Sequence, residues 1–132
     1  MTDRAARGRR AEAAVADYLF ARGFAVLSRN LRLGRLEIDV LARRGALVVA
    51  VEVRTRGPRA FEGALQSIGS AKRARLLAAV EHLWRTHLAR MPGVERVRID
   101  VAAVSFEPGR TRVEYIEGAL AGLGSGWNHP GR

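Results

Sequence analysis

Apolar residues first recur along the chain at helical spacing. Ala11, Val15, Tyr18 and Leu19 fall on one stripe, which predicts a helix over residues 4–22 with Gly23 as its stop. The period then changes. Residues 24–30 read as a short strand, Leu33-Gly34 as a turn and residues 36–42 as a second strand. Arg43-Arg44-Gly45 marks a tight connection into a third, valine-rich strand over 46–54. These last two look like an antiparallel hairpin. Glycine, proline and charge make 56–63 a loop. Leu76, Val80, Leu83 and Trp84 stripe a second helix that begins at Ser67 or Ser70 and runs to His87. After Met91-Pro92-Gly93 come a fourth strand over 97–106, a turn at Pro108-Gly109 and a fifth strand over 112–116. The order of helix, three strands, helix and two strands predicts an α/β fold, a mixed sheet with helices packed on it. Residues 1–118 read as a single domain and 119–132, glycine-rich, as a flexible C-terminal tail.

Against this apolar framework a few acids stand out. On the second strand side chains alternate, so Leu36, Ile38 and Val40 face one side while Glu37 and Asp39 face the other together. On the third strand Glu52 ends the run Val48-Val49-Ala50-Val51, and Arg54 shares its face. Buried carboxylates are costly unless they are paired or bind a cation. Two of them on adjacent strands can share a hard divalent ion, and magnesium prefers such oxygen ligands and keeps several waters. An ion so held polarises a phosphate and activates a water. The bland alternative is a structural ion pair with nearby arginines. There is also a geometric condition. Asp39 and Glu52 are an odd number of positions apart, so they meet only if the hairpin has an even loop or contains a bulge. Glu12 has Val15, Ala16 and Leu19 as helical neighbours, so it lies on or beside the buried face of the first helix. It either joins the acids or makes an ordinary salt bridge with Arg9 or Arg54.

Composition changes the picture in one direction. The chain has 132 residues and a formal net charge of +10, which points to a polyanionic partner, nucleic acid ahead of an anionic membrane surface. Of its 23 basic residues only Lys72 is a lysine. Arg7, Arg9 and Arg10 open the first helix, Arg54, Arg56 and Arg59 line the loop, and Lys72, Arg73 and Arg75 open the second helix. Convergence of these groups around the acids would form a phosphate track, which positions a backbone without reading bases. A solvated charged face is the alternative. Gln66 and Ser67 are candidates for additional hydrogen bonds. There is no cysteine, which excludes disulfides and thiolate metal sites. No signal-like segment and no long apolar run is seen, so the expected location is the cytoplasm, with no membrane association. His82 and His87 lack an acid at metal spacing, Trp84 reads as core, and Asp100 beside Arg98 reads as a structural pair. Aromatic residues are only 6%, which argues against a base-stacking platform for single strands.

Gly8-Arg9-Arg10-Ala11-Glu12, Ser28-Arg29-Asn30, Glu37-Ile38-Asp39 and Val51-Glu52-Val53-Arg54-Thr55-Arg56, followed by Gly63-Ala64, Lys72 and Arg98-Ile99-Asp100-Val101, resemble the YraN-like family of small bacterial proteins. That family is grouped with the PD-(D/E)XK endonuclease-like fold and is related to Holliday junction resolvases. The resemblance spans roughly residues 8–118. It implies a restriction-endonuclease-like αβββαβ core, a metal held by Asp39 and Glu52, and a supporting acid at Glu12. Glu37 matches the first acid of the family's Gly-Glu-Ile-Asp motif, with Leu36 in place of the glycine. The motif calls for lysine where this chain has Arg54. Arginine stays protonated and cannot be a base, though it can stabilise a charged phosphate. Lys72 is an alternative source of an amine, provided it lies close to Asp39 and Glu52.

Three readings follow. The first is a magnesium-dependent (or manganese-dependent) endonuclease acting on structured or branched DNA, with Glu12, Asp39, Glu52 and Arg54 at the reacting centre and Arg9, Arg10, Arg56, Arg59, Lys72, Arg73 and Arg75 on the nucleic acid. A homodimer would suit a branched substrate. The second is a non-catalytic nucleic-acid-binding module that keeps the fold. The third is a protein-interaction domain whose charge is incidental.

Overall fold

A computed structural model of the chain describes residues 3–56 and 68–120. Its first element, α1 (Asp3–Ala21), stops where glycine can take a left-handed conformation. Gly23 has φ 87°. Its amide bonds to the Phe20 carbonyl and the Phe24 amide to the Leu19 carbonyl, both at 3.0 Å, the paired bonds of a Schellman cap. The chain then enters β1 (Ala25–Leu33), β2 (Leu36–Arg44) and β3 (Leu47–Arg56). Helix α2 (Ser70–Thr86) leads through a short 3-10 turn at Leu88–Arg90 into β4 (Arg96–Glu107) and β5 (Arg110–Ile116).

The five strands form one sheet in the order β1-β2-β3-β4-β5. β1, β2 and β3 pair antiparallel, β3 and β4 parallel, and β4 and β5 antiparallel. The parallel step needs a crossover, which α2 lies on, whereas the antiparallel steps close in tight turns. Helix α1 covers one face of the sheet with Ala11, Val15 and Leu19 against Val40, Val49, Val51 and Val104. Helix α2 covers the other with Leu76, Val80 and Leu83 against Leu41, Val48, Ile99 and Val101. The central strands are therefore buried on both sides, and this is why β3 and β4 are near-continuous apolar runs rather than alternating ones. Each fully buried valine or leucine contributes roughly 1.5–3 kcal/mol.

The α/β class and element order match the expectation, and the differences are local. β1 runs three residues past Asn30. β2 continues through Arg44, so the connection to β3 is the two residues Gly45-Ala46, with Arg44 paired to Leu47 and Gly45 at φ 60°. The loop is even, as the meeting of Asp39 and Glu52 requires. Strict alternation in β2 fails, however. Ile38 packs in the α2-side cluster and Val40 in the α1-side cluster, because pairing with β1 skips Asn30 and Asp39 and Asn30 takes φ 55°. The packed region also reaches further than residue 118, since Leu120 is buried against α2. The expected tail over 121–132, the loop residues 57–63, and Arg59, Gln66 and Ser67 with the contacts expected of them, lie outside the described residues.

Candidate functional site

The acids gather where β2 and β3 part company. Their register, continued one residue beyond the Val40–Val51 pair, sets Asp39 opposite Glu52. The ladder stops there, although β3 continues to pair with β4 as far as Arg56. A β3 amide is thereby left without a main-chain partner on the β2 side, and the Asp39 carboxylate supplies one. The Val53 amide donates to Asp39 Oδ2 at 2.8 Å. This fixes the carboxyl group at the fork between the strands.

The electrostatics at the fork are unusual for an aspartate. Burial pushes the Asp39 carboxyl up to about 7, and the negative charges of Glu52, Glu12 and Glu37 push in the same direction, while the Val53 hydrogen bond opposes them. Glu52 itself is 4% exposed. Its Oε2 lies 3.2 Å from Lys72 Nζ and 3.5 Å from Arg54 Nε. The Arg54 Nε is buried and makes no hydrogen bond among the described residues, so its approach to Glu52 is electrostatic. Lys72 comes from the first turn of α2, which has no acid in that turn and no side-chain cap. Glu52 takes the place of that missing anion beside the helix N-terminus. The proviso attached to Lys72, closeness to the acids, is met for Glu52.

Glu12 approaches from the α1 layer. It makes neither of the salt bridges weighed for it. Instead it accepts a hydrogen bond from Asn30 Nδ2 at 3.0 Å. Asparagine tolerates the left-handed conformation better than most residues, so Asn30 takes φ 55° within β1 and turns its amide to Glu12. Sequence reasoning assigned Asn30 no role; the signal available was an asparagine within an otherwise strand-like segment.

The basic residues divide. Lys72 and Arg75 line a cavity of about 270 Å³ together with Asp39 and Glu37. Arg73 is half-buried, with its Nε unpartnered among the described residues. Arg10 lies over the Phe106 ring, 4.4 Å from its centroid. The Arg9 carbonyl accepts a bond from Arg29, and Arg56 ends β3. Arg32 and Arg35, not singled out before, line the cavity that holds Asp39. Asp100, fully buried, is held by Arg98 at 2.8 and 3.0 Å, by the Tyr115 hydroxyl and by the Gly118 amide, the structural pair expected of it. His82 and His87 are exposed.

Among the described residues no three histidine, aspartate or glutamate side chains are drawn together as a ready cage for a metal. What the fork offers is a pair of carboxylates with opposed charges close by. A magnesium-type ion, which keeps several waters and takes one or two carboxylates from the protein, fits such a pair. No helix of the described residues is long and apolar enough to cross a membrane.

Proteins similar to this chain share most of its length. A UPF0102 protein of Sorangium cellulosum is 50% identical over 118 residues, covering 89% of this chain and 82% of that one. One from Anaeromyxobacter dehalogenans is 40% identical over 122 residues, covering 92% and 88%. Among solved structures, Pyrococcus furiosus SfsA in complex with Ca2+ aligns at 14% identity with a TM-score of 0.40, covering 87% of this chain and 64% of that one, a likeness too loose to bear on what this chain does. The model of the uncharacterised protein family UPF0102, the YraN-like family, matches residues 11–104, and the chain belongs to that family.

Proposed function

We propose that the chain is a metal-dependent endonuclease that hydrolyses phosphodiester bonds in structured or branched DNA. The observation that carries this reading is Asp39. It is an aspartate whose charge is opposed by burial and by three other acids, yet it is held at the strand fork by a backbone amide and opens onto a basic cavity. A fold that needed only stability would do as well with a neutral residue there.

In this reading Asp39 and Glu52 hold Mg2+ or Mn2+, which when bound polarises the scissile phosphate and lowers the pKa of a bound water. Glu12, oriented by Asn30, holds or accepts a proton from the attacking water. Arg54 stabilises charge on the phosphate and cannot serve as a base. Lys72 supplies the amine that the family's motif places at position 54. It reaches Glu52 from α2 rather than from β3, so the amine arrives at the same carboxylate from another element.

A second reading, a nucleic-acid-binding module that does not cut, is favoured by one observation. Two cations already sit on Glu52, the arrangement a purely structural ion network would adopt. Labelled duplex, single-stranded, flap and four-way-junction DNA, incubated with magnesium, manganese or chelator, separates the two. The expected result is metal-dependent cutting that disappears in Asp39→Ala. Binding without cutting, equal in both proteins, would establish the second reading instead.

A further inference from the structure

The fork opens into a cavity that the acids alone do not explain. Four cationic side chains, Arg32, Arg35, Lys72 and Arg75, line it against two carboxylates, Glu37 and Asp39. Arg32 and Arg35 come from the end of the β1–β2 hairpin. Lys72 and Arg75 are three residues apart on α2 and so share a face. Arg32 sits opposite Glu37 across the strands, where an ion pair would be the ordinary outcome. None forms. Arg32, Arg35 and Arg75 have no ion pair among the described residues, and Lys72 is turned toward Glu52. Three guanidinium groups held around one hollow repel each other at a cost that an entering anion removes.

The geometry points to a phosphoryl-binding seat in this cavity, formed by Arg32, Arg35 and Arg75, which holds a phosphate of the nucleic-acid strand next to the one attacked at Asp39 and Glu52. It rests on the proposed function for what the seat serves, and on the cavity's own charge for its existence. Guanidinium groups suit the task because their planar fork engages two phosphate oxygens at once, which an ammonium cannot do. The volume, about 270 Å³, is at the small end of ligand pockets. It matches one phosphoryl group with its sugar better than a length of duplex. The wall shared with Asp39 makes the seat contiguous with the reacting centre. Asp39 marks the end of the cavity at the fork, and Glu37 lies opposite Arg32, so four cations face two carboxylates around the seat.

The phosphate could belong to a strand end or to an internal diester. Two measurements address the seat and its source. The first is thermal unfolding of the whole chain in sodium phosphate, sodium acetate and sodium chloride at equal ionic strength. Phosphate is expected to raise the midpoint above the other two in the wild type and in the charge-matched control Arg90→Gln/Arg96→Gln. The rise is expected to vanish in Arg32→Gln/Arg35→Gln. All four substituted positions are exposed, so the fold is retained. The second is binding, in chelator, of an oligonucleotide with a 5′-phosphate or a 5′-hydroxyl, followed across salt concentrations. Each lost phosphate contact lowers the salt slope by about one. A preference for the 5′-phosphate that disappears in Arg32→Gln/Arg35→Gln assigns the seat to a strand end. Equal binding of both oligonucleotides, with a slope lowered by one to two in that variant alone, assigns it to an internal diester. An equal phosphate effect in all proteins, an acetate effect as large as that of phosphate, or a slope that falls equally in the control, overturns the seat even if cutting is observed. A phosphate effect confined to the intact cavity, with no nucleic-acid binding, keeps the seat and overturns the endonuclease.

Discussion

Asp39 is where the sequence, the strand geometry and the chemistry meet, and it makes a measurable demand on pH. In the folded protein its carboxyl titrates near 7, against an ordinary value of 3.8. Between those values the folded state holds a proton that the unfolded state has released. The stability this group contributes is therefore full below pH about 4 and is lost as pH rises through 7. Asp39→Asn keeps an oxygen to accept the Val53 amide and removes the titration. Without metal, that variant is expected to match the wild type at pH 4 and to exceed it by roughly 1–3 kcal/mol at pH 8, since one unit is about 1.4 kcal/mol and solvent screening at a partly exposed group discounts the shift. Urea unfolding at the two pH values reads this directly, and an equal difference at both would mean that folding leaves the Asp39 pKa at its unfolded value. Lys72 belongs to the same scale. If its amine acts in the reaction, Lys72→Met lowers the cutting rate on the order of a hundredfold or more, while Arg54→Lys is tolerated. Comparison with Lys72→Arg under single-turnover conditions separates a proton-transfer role, lost in both variants, from a purely electrostatic one, retained in the arginine.

The elements place these groups, and two irregularities matter more than the regular parts. The two-residue turn at Gly45-Ala46 sets the parity that brings Asp39 to Glu52. The left-handed Asn30 within β1 turns an amide to Glu12, and opposite this stretch Ile38 and Val40 enter different cores. The acids of the proposed site and these backbone irregularities coincide, as bulges next to active sites commonly do. Asp100 is the contrast. It is as buried as any group in the chain, but every donor around it is satisfied, and together they bind the end of β5 and the turn at Gly118 to β4. Tyr115→Phe removes one of those donors and exposes nothing. It is expected to cost about 1–2 kcal/mol in urea unfolding and to leave cutting and DNA binding unchanged. A loss of activity without a loss of stability would mean that the Asp100 network reaches the fork.

On the scale of the molecule, the basic charge is not spread evenly over function. Arg10 is spent over Phe106, and Arg22 and Arg44 lie over Tyr18 and Phe24. Several arginines thus pack their planar groups on aromatic rings of the α1 side. Arg32, Arg35 and Arg75, which make no ion pair among the described residues, instead line the cavity at Asp39. The net charge of +10 therefore overstates the number of groups that the proposed phosphate backbone would meet, and the proposed contact falls on the face shared by the β1–β2 turn and the start of α2.

The sequence alone determined the class of fold, because the switch between helical and strand periodicities and the valine runs of β3 and β4 are local properties read directly from side-chain order. It also singled out Asp39, Glu52 and Glu12, since a carboxylate in an apolar run is anomalous wherever the chain goes. It left open which acids meet, because a one-residue difference in a turn reverses the face of a whole strand and a turn's length is decided by pairing. It did not foresee Asn30 on Glu12 or the Val53 amide on Asp39, contacts between residues 14 or more positions apart. Arg32 and Arg35 looked like any other arginines in an arginine-rich chain. Only packing of α2 over the end of the β1–β2 hairpin sets them around one cavity with Lys72, Arg75 and Asp39, because distance in space, unlike spacing along a strand, depends on how the layers close.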